Sequence, residues 1–132
     1  VSVVQEGDSN AAKAPMSNKA VYGVETLKLF QKVEDFVDWL FPILDRFPKS
    51  ERLALVSQMK NLSYEMLKTI IKTNKSSAKR AGWYEVDVQL EMMRFFLRHA
   101  RTRKYLAPRS YETAAKSVAE IGRMIGGLIK GA

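Results

Sequence analysis

Arg94 and Arg98 stand four residues apart, and Arg101, Arg103 and Lys104 follow with no acid before Glu112. Cations in excess, without an ordered catalytic geometry, are what contacts to phosphate require. Lys68, Lys72 and Lys75 make a second group, which Lys79 and Arg80 extend. Lys116, Arg123 and Lys130, spaced by seven, make a third. Residues 68–104 carry ten basic and three acidic side chains, most of the chain's net charge of +8. An excess this concentrated points to a polyanion, most often nucleic acid. Charge kept for solubility alone would be scattered. Glu91 is in reach of Arg94 at i,i+3, so part of the stripe also reads as an intrahelical ion-pair ladder at about 0.2–0.5 kcal/mol per pair.

Catalytic chemistry finds little support. The 132 residues include no cysteine, which removes disulfides, thiol catalysis and thiolate metal sites. His99 is the single histidine, so a histidine-pair metal site is excluded and any triad would need that one residue. Arginines around Asp87 and Glu91 would hold both carboxylates ionised. For His99, beside Arg98, a structural or nucleic-acid-contacting role outweighs a proton relay. No phosphate-loop, nucleophile-elbow or zincin motif is present. These observations predict a non-enzymatic protein with no metal and no cofactor.

The elements that position these residues follow from hydrophobic periodicity. Residues 1–20 lack it and are expected to form a tail or linker, with residues 21–132 as one domain. A first helix is predicted from Val24 to Arg46, with Phe30, Val33, Val37, Leu40 and Leu44 inward. Pro42 should kink it. Pro48 ends it and Ser50 is the expected N-cap of the second helix. That helix runs to Asn74 with Val56, Met59, Ser63, Met66 and Ile70 on one face. Lys75 to Gly82 reads as a polar, basic loop. A third helix is expected from Trp83 to Arg103, with Val86, Leu90, Met93, Leu97 and Ala100 inward. Pro108 opens the fourth, which runs to Lys130 with Ala114, Val118, Ile121, Ile125 and Leu128 inward. The fold class is therefore all-α, an antiparallel up-down-up-down four-helix bundle. Gly122, Gly126 and Gly127 lie inside the fourth helix and read as close helix–helix contacts. No apolar run reaches membrane-span length, no signal-peptide pattern is visible, and a cytoplasmic location is expected.

The third helix carries a second apolar face. Tyr84, Val88, Met92 and Phe95 fall opposite Leu90 and Leu97 at 100° per residue. Trp39, with Phe36 and Ile43, borders the core stripe of the first helix. Either a subunit or partner interface covers this face, or the tail or a loop folds over it. Trp83, Tyr84 and Tyr105 interleave with the cations, and read either as base-stacking rings or as core and interface packing.

The run Asp87-x-x-Leu90-x-x-Met93-Arg94-Phe95-Phe96-Leu97-Arg98, then Pro108, then Ala119-Glu120-Ile121-Gly122-Arg123-Met124-Ile125-Gly126, resembles the accessory variability (Avd) proteins of diversity-generating retroelements. The junction Phe47-Pro48-x-x-Glu51-Arg52 resembles the same family and the wider four-helix proteins encoded in ribosomal RNA intervening sequences. The resemblance covers about Val24 to Lys130. It implies a basic protomer assembled into a homopentameric barrel. It also implies binding to the element's reverse transcriptase and template RNA, with cDNA as a further nucleic-acid partner, in support of mutagenic cDNA synthesis. Polymerase chemistry would belong to the reverse transcriptase. Arg94, Arg98 and Arg123 match the family's basic motif by position. Lys75, Lys79 and Arg80 match in character only. An RNA- or ribosome-associated bundle outside a retroelement, and a protein–protein adaptor, are the alternative functions.

Overall fold

The computed structural model describes residues 23–132. The predicted tail, residues 1–20, lies outside them. Four helices form: α1 (Val24–Leu44), α2 (Leu55–Lys75), α3 (Lys79–Thr102) and α4 (Pro108–Gly131). At 1.5 Å per residue each is about 30–36 Å long. Each helix packs on its neighbours in sequence, and α4 closes the square on α1. Lys32 of α1 pairs with Glu120 of α4 at 2.9 Å, and Gln89 of α3 donates to Thr69 of α2 at 3.0 Å. The architecture is an all-α four-helix bundle, with no strand among the described residues.

The core is the predicted one, because a 3,4 spacing of apolar side chains makes one stripe per helix. Leu40, Met59, Ile70, Leu90, Met93, Ala100, Ala114, Ile121 and Ile125 are fully buried. Ser63, the polar member of the predicted α2 stripe, is buried too and donates its hydroxyl to the Met59 carbonyl at 2.9 Å. Leu128 is half-buried at the core margin. No described helix is long and apolar enough to cross a membrane.

The connections depart from expectation. Pro42 stands within α1, which ends at Leu44 rather than Arg46. Ser50 lies in a single 3-10 turn, Lys49–Glu51, and α2 begins only at Leu55. The carboxylate of Glu51, not the Ser50 hydroxyl, accepts the Leu55 amide at 3.3 Å. The predicted loop from Lys75 to Gly82 shrinks to Ser76–Ala78, and α3 starts four residues earlier than Trp83. Ser76 turns the chain by accepting the Ala78 amide at 2.9 Å. Gly82 then lets α3 press against buried Thr73, because a Cβ there would stand 2.2 Å from Thr73 Oγ1. Of the helix-four glycines, only Gly122 makes a close approach, to Arg94 and Leu90 of α3. Gly126 and Gly127 face open space, so the expected packing contact is absent at both.

Candidate nucleic-acid interface

Arg94 sits on the flank of α3 that faces α4. Its Nη1 donates to Glu91 at 2.8 Å, as the i,i+3 spacing predicts. Its Nη2 reaches across to α4, where a Cβ on Gly122 would stand 2.7 Å away. Glycine at 122 therefore makes the seat in which the guanidinium rests. Arg98, one turn further on, is exposed. Together with Leu97, Tyr111, Ala115 and Val118 these two arginines line a cleft of about 100 Å³ between α3 and α4. A second cleft of about 470 Å³ continues toward the α3–α4 junction, lined by Arg101, Pro108, Arg109, Tyr111, Glu112 and Ala115. The Arg101 guanidinium lies 5.0 Å from the centre of the Tyr111 ring. The α3–α4 edge thus carries arginines 94, 98, 101 and 109 along one groove.

Arg109 and Tyr111 escaped the sequence reading. A signal for Tyr111 exists, since it extends the α4 stripe of Ala114, Val118, Ile121 and Ile125 by one step of three. Arg109 follows the N1 proline and has no comparable periodic mark.

The remaining cations are placed differently. Lys68, Lys72 and Lys75 are exposed on α2, on another side of the bundle. The Lys79 ammonium donates to the carbonyls of Thr73, Asn74 and Ser76 at 3.3, 2.8 and 2.9 Å, so it closes the C-terminus of α2. Arg80 lies over Tyr84, 5.9 Å from the ring centre. Arg123 is exposed on α4 next to Gly122.

Arg103 and Lys104 belong to the end of the bundle where the α1–α2 and α3–α4 junctions meet. Arg103 Nε donates to the Tyr105 hydroxyl at 3.1 Å, and that hydroxyl donates to Glu51 at 2.8 Å. The Tyr105 and Phe47 rings stand 5.5 Å apart. The Tyr105 hydroxyl and the Leu55 amide, aided by the Arg103 charge, hold the Glu51 carboxyl below its ordinary range. Lys104 ends α3 in the left-handed region, at φ 65°. Its amide bonds the Arg101 carbonyl at 2.9 Å and the Tyr105 amide bonds the Ala100 carbonyl at 2.9 Å, the two bonds of a Schellman motif.

The aromatic residues separate in the same way. Trp83 is buried in the core at 2% exposure, which excludes it as a stacking surface. Tyr84, Val88, Met92 and Phe95 are 49, 66, 44 and 44% exposed and form a bare apolar stripe along α3. His99 stacks on Phe95, ring centres 5.6 Å apart, at one end of it. Trp39 is half-buried beside Phe36, with ring centres 6.2 Å apart, on the flank of α1 that also carries Lys32. The structure therefore does not bring Trp39 together with the α3 stripe, since α1 and α3 are diagonal. Among the described residues no cluster of His, Asp or Glu is arranged to hold a metal ion.

Residues 27–132 match the model of the bAvd-like family. The chain belongs to the bAvd-like family. No curated protein matches it. Avd-like proteins are an accessory, non-catalytic kind of protein associated with retroelements. The matched region takes in all but the first turn of α1 and the whole of the other helices. The arginine groove and the apolar stripe are therefore both features of the Avd-like region.

Proposed function

We propose that this Avd-like protein is a non-enzymatic accessory of a diversity-generating retroelement. In this reading it assembles as a homopentamer in the cytoplasm and binds the element's reverse transcriptase and template RNA. The observation that carries the reading is the arginine groove of α3–α4 running beside an uncovered apolar stripe in a chain of this family. Phosphate contacts need exposed cations held at one edge, and arginine's planar fork suits phosphate oxygens. A bare stripe of four large side chains is costly in water and favours burial against another surface. The stripe on α3 and Trp39 on α1 are different patches on different sides of the bundle. Two unlike patches suit head-to-tail contacts, which close into a ring when the rotation permits. A ring repeats the arginine groove around its circumference, so a long RNA meets several copies at once. The polymerase chemistry lies with the reverse transcriptase, which this protein positions on its template.

The test has two parts. The protein co-expressed with the neighbouring reverse transcriptase should co-purify with it and with RNA, and native mass spectrometry should give five copies. RNA affinity should fall with salt at a log–log slope of about −0.7 per phosphate contacted. Replacing Arg98, Arg101 and Lys104 together with alanine should weaken binding and flatten that slope. An unchanged affinity and slope would move the interface to the lysines of α2 or to Arg123. Binding of the transcriptase without any RNA affinity would favour the adaptor reading.

A further inference from the structure

Within the proposed nucleic-acid edge, one pair of residues is built unlike the rest. The two clefts between α3 and α4 share Tyr111 and Ala115 and continue from one to the other. Tyr111 is half-buried and packs against the core, so its ring is fixed. The Arg101 guanidinium lies over that ring at 5.0 Å. Among the described residues no hydrogen bond or ion pair of the guanidinium competes with this contact. Two nearby arginines differ: Arg94 is tied to Glu91, and Arg103, which also lies over a tyrosine ring at 5.5 Å, is tied to the hydroxyl of that same Tyr105. The similar pair Arg80–Tyr84 stands on the outer stripe, outside these two clefts.

We propose that Arg101 on Tyr111 is a stacking platform for one unpaired nucleobase, with the flanking phosphates held by Arg98 and Arg109, so that this groove selects single-stranded over duplex nucleic acid. The inference rests on the nucleic-acid reading above and adds a ligand form and a residue pair to it. A guanidinium plane backed by an aromatic ring accepts the π-face of any base, which explains why no hydrogen-bonding side chain specific to one base is needed in the groove. Ala115, exposed on α4, lines both clefts with only a methyl group. Arg98 and Arg109 stand in the two clefts on either side of the platform, which matches a strand running along the groove with one base turned inward. In a duplex the bases are already stacked and paired, and only the phosphates remain to be bound.

Fluorescence anisotropy with a labelled ten-nucleotide oligouridine and a ten-base-pair RNA duplex tests this. The native protein should bind the single strand more tightly. Tyr111→Ala and Arg101→Lys should each weaken oligouridine binding about tenfold, within the range one base stack contributes, and leave duplex affinity within about twofold. Tyr111→Phe should behave as the native protein. Arg101→Lys keeps the charge and removes no core packing, so it remains informative if Tyr111→Ala fails to fold. The proposal is overturned if Arg101→Lys and Tyr111→Ala leave the single-strand preference intact, or weaken both ligands equally. Absence of binding to either RNA by the native protein would overturn the nucleic-acid reading itself. Binding lost in the Arg98, Arg101 and Lys104 triple variant, with the single-strand preference unmoved by Tyr111→Ala, would retain that reading and sink the platform alone.

Discussion

Gly82→Ala should destabilise this bundle, against the usual direction. A glycine-to-alanine change in a helix interior ordinarily stabilises by about 0.5–1 kcal/mol. At position 82 the new Cβ would meet Thr73 Oγ1 at 2.2 Å, Cγ2 at 2.5 Å and Cβ at 2.8 Å. Thr73 is 3% exposed and β-branched, so its side chain has little room and few rotamers in which to retreat. Overpacking of this kind costs about 1–3 kcal/mol. The clash outweighs the propensity gain, and a net loss of about 1–2 kcal/mol is expected. Urea denaturation followed by circular dichroism, at matched protein concentration because association adds to apparent stability, should show a midpoint lowered by about 0.5–1 M for an m-value of about 2 kcal/mol/M. Gly122→Ala is the internal control. Its Cβ would stand 2.7 Å from Arg94 Nη2, the far end of a flexible side chain that can swing away. That variant should gain stability by up to about 1 kcal/mol while displacing the guanidinium from its seat. Adding Thr73→Ala to Gly82→Ala should restore part of the loss. A Gly82→Ala protein as stable as the native one, or more so, would refute the close-packing account of the α2–α3 turn.

Other expectations follow from the same structure. Lys104→Gly should raise stability by about 1 kcal/mol, because the left-handed conformation at φ 65° suits glycine, and a thermal melt checks this. Met92→Asp should lower the oligomeric state seen by native mass spectrometry while leaving the helical circular dichroism signal, since Met92 lies on the bare stripe and not in the core. Glu51 has a folded pKa below its ordinary 4.5, so its share of stability is present above about pH 4.5 and is lost as pH falls through the lowered folded value. Glu51→Gln should therefore reduce stability at neutral pH and flatten the acid limb of the stability profile, and equal pH profiles for the two proteins would remove the Tyr105–Glu51 contact from the account.

Much of this molecule was legible without coordinates. The 3,4 spacing of Phe30 to Leu44, Val56 to Ile70, Val86 to Ala100 and Ala114 to Ile125 determined which face of each helix is buried. Helical periodicity depends only on order along the chain. The same arithmetic placed Tyr84, Val88, Met92 and Phe95 on the far side of α3, where all are exposed. It also set Arg94 and Arg98 on one flank with Glu91, and the Arg94–Glu91 pair formed as the spacing required.

The roles of individual cations were decided by tertiary structure, because a positive charge carries no label for its partner. Lys79 and Arg103 read in sequence as members of the basic excess, yet Lys79 closes α2 and Arg103 holds Tyr105. The α2–α3 connection is shorter than its polar sequence suggests for a related reason. Its polar residues look like a loop until Gly82 meets Thr73, a contact across two helices that no local pattern records. The groove itself exists only where α3 lies against α4. Arg101 and Tyr111 are ten residues apart in sequence and on different helices, and the packing angle and depth of the bundle bring the guanidinium over the ring. Local spacing determines which faces a helix presents, while the surfaces built from two faces at once are set by how the helices meet.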